Sequence, residues 1–173
     1  MLPIQLTIEG LYSYKEKQTI DFTRLTDAGL FGIFGATGSG KSSILEAISF
    51  VLFGKTERIN RNHGYNMMNL TSNRLYIEFD FYNFENKCFK ATREYKRNLK
   101  TFESIYSPTT GIYEQVGESW KPTDQSIESI LGLSYDNFKR TIIIPQGQFK
   151  EFIELGARDR TQMLKEIFSA RKV

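Results

Sequence analysis

The stretch Gly35-Ala36-Thr37-Gly38-Ser39-Gly40-Lys41-Ser42-Ser43 constrains this chain more than any other feature. It satisfies the pattern Gly-x-x-x-x-Gly-Lys-Ser in full, and its flanks suit that pattern. Leu30-Phe31-Gly32-Ile33-Phe34 before it reads as a strand covered on both faces, and Ile44 to Phe53 after it reads as a helix. Each residue type has a physical task. Glycines let successive backbone N–H groups turn inward to make an anion nest, and the helix N-terminus adds partial positive charge. Lys41 would reach the β- and γ-phosphates of a nucleotide as a point charge, and the Ser42 hydroxyl would ligate a bridging Mg²⁺. Gly35, Ala36, Thr37, Gly38, Ser39, Gly40, Lys41, Ser42 and Ser43 are therefore the candidate cofactor-binding residues, with ATP and Mg²⁺ as the expected cofactors. The bland alternative is a glycine-rich strand-to-helix turn with a chance lysine; the complete match in the right context weighs against it.

The helix that follows is unusually apolar. Ile44, Ala47, Ile48 and Val51 form one stripe, and Leu45, Phe50, Leu52 and Phe53 widen it almost all round, which suits a helix lying between layers. The chain has 173 residues, enough for one domain or slightly more and for a sizeable core. Its 14 Phe and 9 Tyr predict substantial β-structure. One cysteine, Cys88, excludes a disulfide framework, and one histidine, His63, excludes a multi-histidine metal centre. A net charge of +3 permits a polyanionic partner without demanding one. No run reaches the roughly 18 apolar residues of a membrane helix, and no secretory signal opens the chain, so a cytoplasmic location is expected.

Alternating apolar and polar residues predict strands over 4–9 and 18–22, and again over 75–81 and 88–95, the latter pair joined by a turn at Asn83-Phe84-Glu85-Asn86. Weaker strands are expected around 101–106 and 112–116. Residues 54–74 read as a long polar connection. Thr123 is positioned to cap a helix over 124–131 that Gly132 ends, and a second short helix covers 135–139. Thr141-Ile142-Ile143-Ile144 reads as a buried strand ended by Pro145. A glutamine just past such a strand, Gln146, lies where ligand-contacting loops occur in open α/β sheets, although a polar strand-end turn is the alternative. Lys87, Lys90, Arg93, Lys96, Arg97 and Lys100 form a basic stretch that could meet DNA phosphates or simply be solvated. From Arg158 onward Met163, Leu164, Ile167 and Phe168 make a helical apolar stripe.

The phosphate loop, Phe53-Gly54-Lys55-Thr56, Ile144-Pro145-Gln146-Gly147-Gln148-Phe149 and the early Leu11-Tyr12-Ser13-Tyr14 together resemble the N-terminal ATPase segment of the SbcC family. These are DNA-repair ATPases of the SMC-like branch of the ABC superfamily. The resemblance implies an α/β fold: the N-terminal lobe of a P-loop ATPase head, with a mixed core sheet around a central helix and a flanking antiparallel sheet. It assigns Lys41 and Gln146 catalytic roles, and Ser42 and Gln146 to Mg²⁺, and it sets Met68 and Asn69 near the adenine. Some relatives carry an arginine at the position of Tyr12, so a phosphate contact there would fall to backbone or to Ser13. The family's signature motif, Walker B acids and switch histidine belong to a C-terminal lobe beyond a long coiled coil; Asp80, in an alternating strand, is not a Walker B residue. The implied division is 1–155 as lobe and 156–173 as the start of a coiled-coil arm. Implied partners are the C-terminal lobe, a second head in an ATP-sandwiched homodimer, an SbcD-type nuclease and DNA. The isolated lobe is expected to be inactive. Competing readings are another SMC-like or RecF-like repair ATPase and a self-contained P-loop small-molecule kinase.

Overall fold

In the computed structural model of the chain, the described residues are 1–26, 33–56, 67–101, 104–141, 156, 158 and 161. They belong to two compact units, Met1–Asp124 and Gln125–Val173. The first is built on β1 (Leu2–Glu9), β2 (Gln18–Asp21), β3 (Arg74–Tyr82), β4 (Cys88–Lys96), β5 (Thr109–Val116) and β6 (Ser119–Pro122), with α1 (Thr23–Thr26) and α2 (Lys41–Phe53). The strands form one six-stranded sheet of order β2-β1-β3-β4-β5-β6, every neighbouring pair antiparallel.

The register explains why the sheet has one dry face. Leu6 pairs with Phe79 and Phe79 with Ala91; Ile8 pairs with Ile77, Leu75 with Tyr95, and Phe81 with Phe89. Directly opposed residues share a face, so alternation along each strand becomes a continuous apolar surface. Helix α2 covers it against β3 and β4. Ile44, Ala47, Ile48, Phe50, Val51 and Leu52 are buried, and the Phe50 ring stacks on Tyr95 at 5.6 Å between centroids. Leu45 remains 40% exposed, so the helix has one free face. Burying Phe50 to 1% exposure is worth roughly 2–3 kcal/mol.

Both ends of α2 rest on left-handed glycines. Gly40 precedes it at φ 88°, and Gly54 ends it at φ 67° while donating its N–H to the Phe50 carbonyl. The β3–β4 turn falls where the sequence predicts it. Asn83 Oδ1 accepts the N–H groups of Glu85 and Lys87, and Asn86 takes φ 58°, a conformation asparagine tolerates.

The second unit contains α3 (Ile127–Leu131) and α4 (Tyr135–Thr141), with Ile127, Ile130, Leu131, Leu133 and Phe138 buried. Helix α3 is capped by Ser126, whose Oγ accepts the Ser129 N–H, and not by Thr123, whose N–H goes to the Ile112 carbonyl of β5. Gly132 ends it in the left-handed region, as expected. Helix α4 runs two residues past the predicted end, so Thr141 closes a helix rather than opening a strand. Among the described residues, the strand expected around 101–106 is reduced to one bridge between Arg97 and Ile105. Strand formation moves on to β5 and β6, where Tyr113 pairs with Pro122 and Gln115 with Trp120 around a turn at Gly117. The α/β class holds. Of the run 30–34, Ile33 and Phe34 are described; they lie outside any strand, and Phe34 is 93% exposed. The core strand expected over that run therefore does not include them.

Candidate functional site

The phosphate loop sits at the N-terminal end of α2 as the sequence requires. Gly38 and Gly40 adopt φ 85° and 88°, which lets the chain turn sharply twice within three residues. The first turn of α2 has no side-chain cap and no acidic residue, so its backbone N–H groups keep no carboxylate of their own. The Lys41 ammonium folds back over the loop, donating to the carbonyls of Gly35 at 2.8 Å and Ala36 at 2.7 Å, with Ser39 Oγ at 3.4 Å. Ser42, one residue further on, is exposed to solvent. A donor set of ammonium, hydroxyl and uncapped amides fits a polyphosphate with its divalent cation.

The loop is held from one side by the segment after β1. Leu11 and Tyr14 exchange backbone hydrogen bonds across a tight turn, with Tyr12 at φ 47°. The Tyr14 hydroxyl donates to the Gly40 carbonyl at 3.2 Å, and burial pushes that phenol's pKa up. Beside these residues opens a cleft of about 590 Å³, lined by Ser13, Tyr14, Gln18, Thr19, Gly38 and Ser39 among others. No local pattern in the sequence marks a contact that joins residues 14 and 40.

Met68 and Asn69, the residues expected near adenine, support that turn. Met68 is buried and bridges to Leu11. Asn69 donates its N–H to the Gly10 carbonyl and its side-chain amide to the Tyr12 carbonyl, while its Oδ1 accepts from Thr71. Its polar groups are thus committed within the fold. Gln146 and His63 lie outside the described residues.

The basic stretch does not form one patch. Successive strand residues face opposite ways. Arg93 lies on the dry face, its guanidinium 5.3 Å from the Phe50 ring and packed by Gly54. Lys90 lies on the opposite, polar face, bonded to Glu78 at 3.1 Å, 3.6 Å from Asp80, and over the Trp120 ring. Lys87 pairs with Glu85, Lys96 reaches Glu94, and Arg97 is buried, donating to the carbonyls of Asn69 and Ser72. On the polar face, burial works to raise the Glu78 carboxyl, but hydrogen bonds from Tyr76 and Lys90 hold it below the usual range. Burial raises Asp80, with Lys90 opposing. Asp80 is thus a carboxylate on the polar face of an antiparallel sheet, two residues before the end of β3 and beside Lys90.

A mixed α/β chain whose phosphate loop leads into a buried helix defines a P-loop-type domain, and comparison with known proteins identifies its family. The chain belongs to the AAA domain family, which matches residues 5–172. It is homologous to a segment of the SbcC component of the nuclease SbcCD: 41% identical over 181 residues in Bacillus subtilis, covering 98% of this chain and 15% of that protein. The counterpart from Clostridium acetobutylicum is 38% identical, covering 99% and 15%, and that from Deinococcus radiodurans 30% identical, covering 100% and 19%. The chain therefore spans under a fifth of the length of these relatives. Among solved structures it is similar to an SMC head domain from Thermotoga maritima, with TM-score 0.39, 23% identity, and coverage of 70% of this chain and 39% of that one. Family membership implies ATP with Mg²⁺ as the class of cofactor. No helix among the described residues is long and apolar enough to cross a membrane.

Proposed function

We propose that this chain is the ATP-binding N-terminal part of an SbcC-type ATPase head, working with a separate nuclease in DNA-break or hairpin processing. Residues 1–155 make the lobe, and 156–173 begin a coiled-coil arm. The nucleotide phosphates lie along Gly35–Ser43, with Lys41 on the β- and γ-phosphates, Ser42 and Gln146 on Mg²⁺, and Gln146 orienting the attacking water. The observation carrying this reading is the uncapped N-terminus of α2 under a full phosphate-loop sequence, with Lys41 already gathering loop oxygens. Homology to the SbcC component of SbcCD supports the nuclease, a second head and DNA as partners.

Calorimetry with ATP and Mg²⁺ tests the nucleotide assignment. Lys41→Ala removes a charge-assisted contact and should weaken binding about ten- to a hundredfold. Equal affinity in variant and parent would refute the assignment.

A further inference from the structure

We infer that Tyr14 is a positioning residue of the phosphate loop, acting on Gly40 and itself held in place by Asn69. This rests on the reading that the loop binds nucleotide phosphates. Gly40 is the last residue before α2, and its left-handed φ of 88° sets the direction in which the first helical amides leave the loop. Its carbonyl accepts two hydrogen bonds, from the Ser43 N–H at 3.0 Å and from the Tyr14 hydroxyl at 3.2 Å. The Tyr14 ring also fills the space beside the glycine: a Cβ there would come 2.9 Å from Cε2. Gly40 is thereby gripped from both its carbonyl and its α-carbon by one side chain, 26 residues away in sequence.

The grip is only as firm as the turn that carries it. Tyr14 belongs to a turn closed by reciprocal backbone bonds with Leu11. That turn is tied down by Asn69 and Met67: the Tyr12 N–H donates to the Met67 carbonyl, and the Asn69 side chain donates to the Tyr12 carbonyl. Arg97, 3% exposed, in turn donates to the Asn69 and Ser72 carbonyls. A continuous set of hydrogen bonds thus runs from the end of β4 through Asn69 and the Tyr14 turn to the start of α2.

The test uses the 173-residue chain with Mg-ATP and Mg-pyrophosphate as separate probes, together with amide hydrogen exchange. Tyr14→Phe keeps the ring and deletes the bond. It should weaken both probes by about three- to tenfold and quicken exchange at residues 38–43, leaving β3–β4 protection unchanged. A parallel loss for pyrophosphate marks phosphate positioning rather than contact with the base. Asn69→Ala should act in the same direction, and the double variant should be no weaker than the more severe single one, because both act through one contact. If Asn69→Ala fails to fold, Tyr14→Phe alone decides. A parent that binds both probes, with Tyr14→Phe binding equally well, overturns this proposal and leaves the nucleotide assignment standing. A parent that binds neither overturns both. Loss of β3–β4 protection in Tyr14→Phe assigns the tyrosine to general stability and also overturns the proposal.

Discussion

Asp80 and Glu78 lie on the same sheet face and share Lys90, yet their environments push them in opposite directions. The reason is hydrogen bonding. Glu78 accepts from Tyr76 and Lys90, whereas one oxygen of Asp80 is buried with no partner. Burial raises Asp80 above its ordinary 3.8, so the folded chain holds that proton more tightly than the unfolded one. Its contribution to stability is fully present below pH 3.8 and is lost as pH rises through the raised value. Asp80→Asn removes this loss. The variant should gain stability relative to the parent at pH 7, and the gain should shrink as pH falls toward 4. Urea unfolding across that range checks it; a constant difference at all pH values would contradict the assignment. Lys90 shows why charge in a sequence is a poor guide to charge on a surface. The cations from Lys87 to Lys100 are close in the chain, but strand alternation sends Lys90 and Arg93 to opposite faces, and Arg97 is drawn inside to hold two carbonyls.

At the scale of elements, local periodicity decides what is legible in the sequence. The β3–β4 hairpin is readable because its alternation is long and its turn carries Asn83 and Asn86. Helix α2 is readable because glycines bracket an apolar run. The shorter elements depart from expectation where pairing, not pattern, decides: among the described residues the weak alternation at 101–106 finds a single bridge, while β5 and β6 form around Gly117 and β5 pairs with β4. Thr123 and Ser126 are both chemically able to cap a helix, and the choice falls to Ser126 because the Thr123 backbone is bonded to β5. The Tyr14–Gly40 contact is illegible for a different reason, since it depends on two distant turns meeting. The main packing contact of α2 is testable. Phe50→Ala should destabilise the chain by about 3–5 kcal/mol, because the ring fills a site between Tyr95 and Arg93 that the sheet cannot collapse into. A loss under about 1 kcal/mol in denaturant unfolding would mean that the helix does not rely on this contact.

For the molecule as a whole, the proposed ATPase role implies division of labour. Phosphoryl transfer needs an aligned water and neutralised charge as well as a cradle. Four acidic groups of the sheet, Glu9, Glu78, Asp80 and Glu94, are engaged with Arg74 and Lys90 on its polar face. The 173-residue chain alone should therefore not sustain ATP turnover, and adding a separately produced C-terminal lobe should restore it. In that mixture Gln146→Ala should lower the rate about a hundredfold or more. Steady-state hydrolysis by this chain alone, lost in Lys41→Ala, would instead favour a self-contained kinase-like enzyme. The two poles of α2 add a consequence for how such a chain behaves with and without its guest. The last turn contains no basic residue, yet β4 lends it one, since the Arg93 guanidinium lies against Gly54 at the negative pole. The first turn contains no acid and begins with a lysine, so the positive pole carries a like charge that no carboxylate of that turn offsets. In the proposed role a bound polyphosphate would supply a counterweight from outside the chain, so that occupancy of the loop and integrity of the helix's opening turn would be two descriptions of one equilibrium.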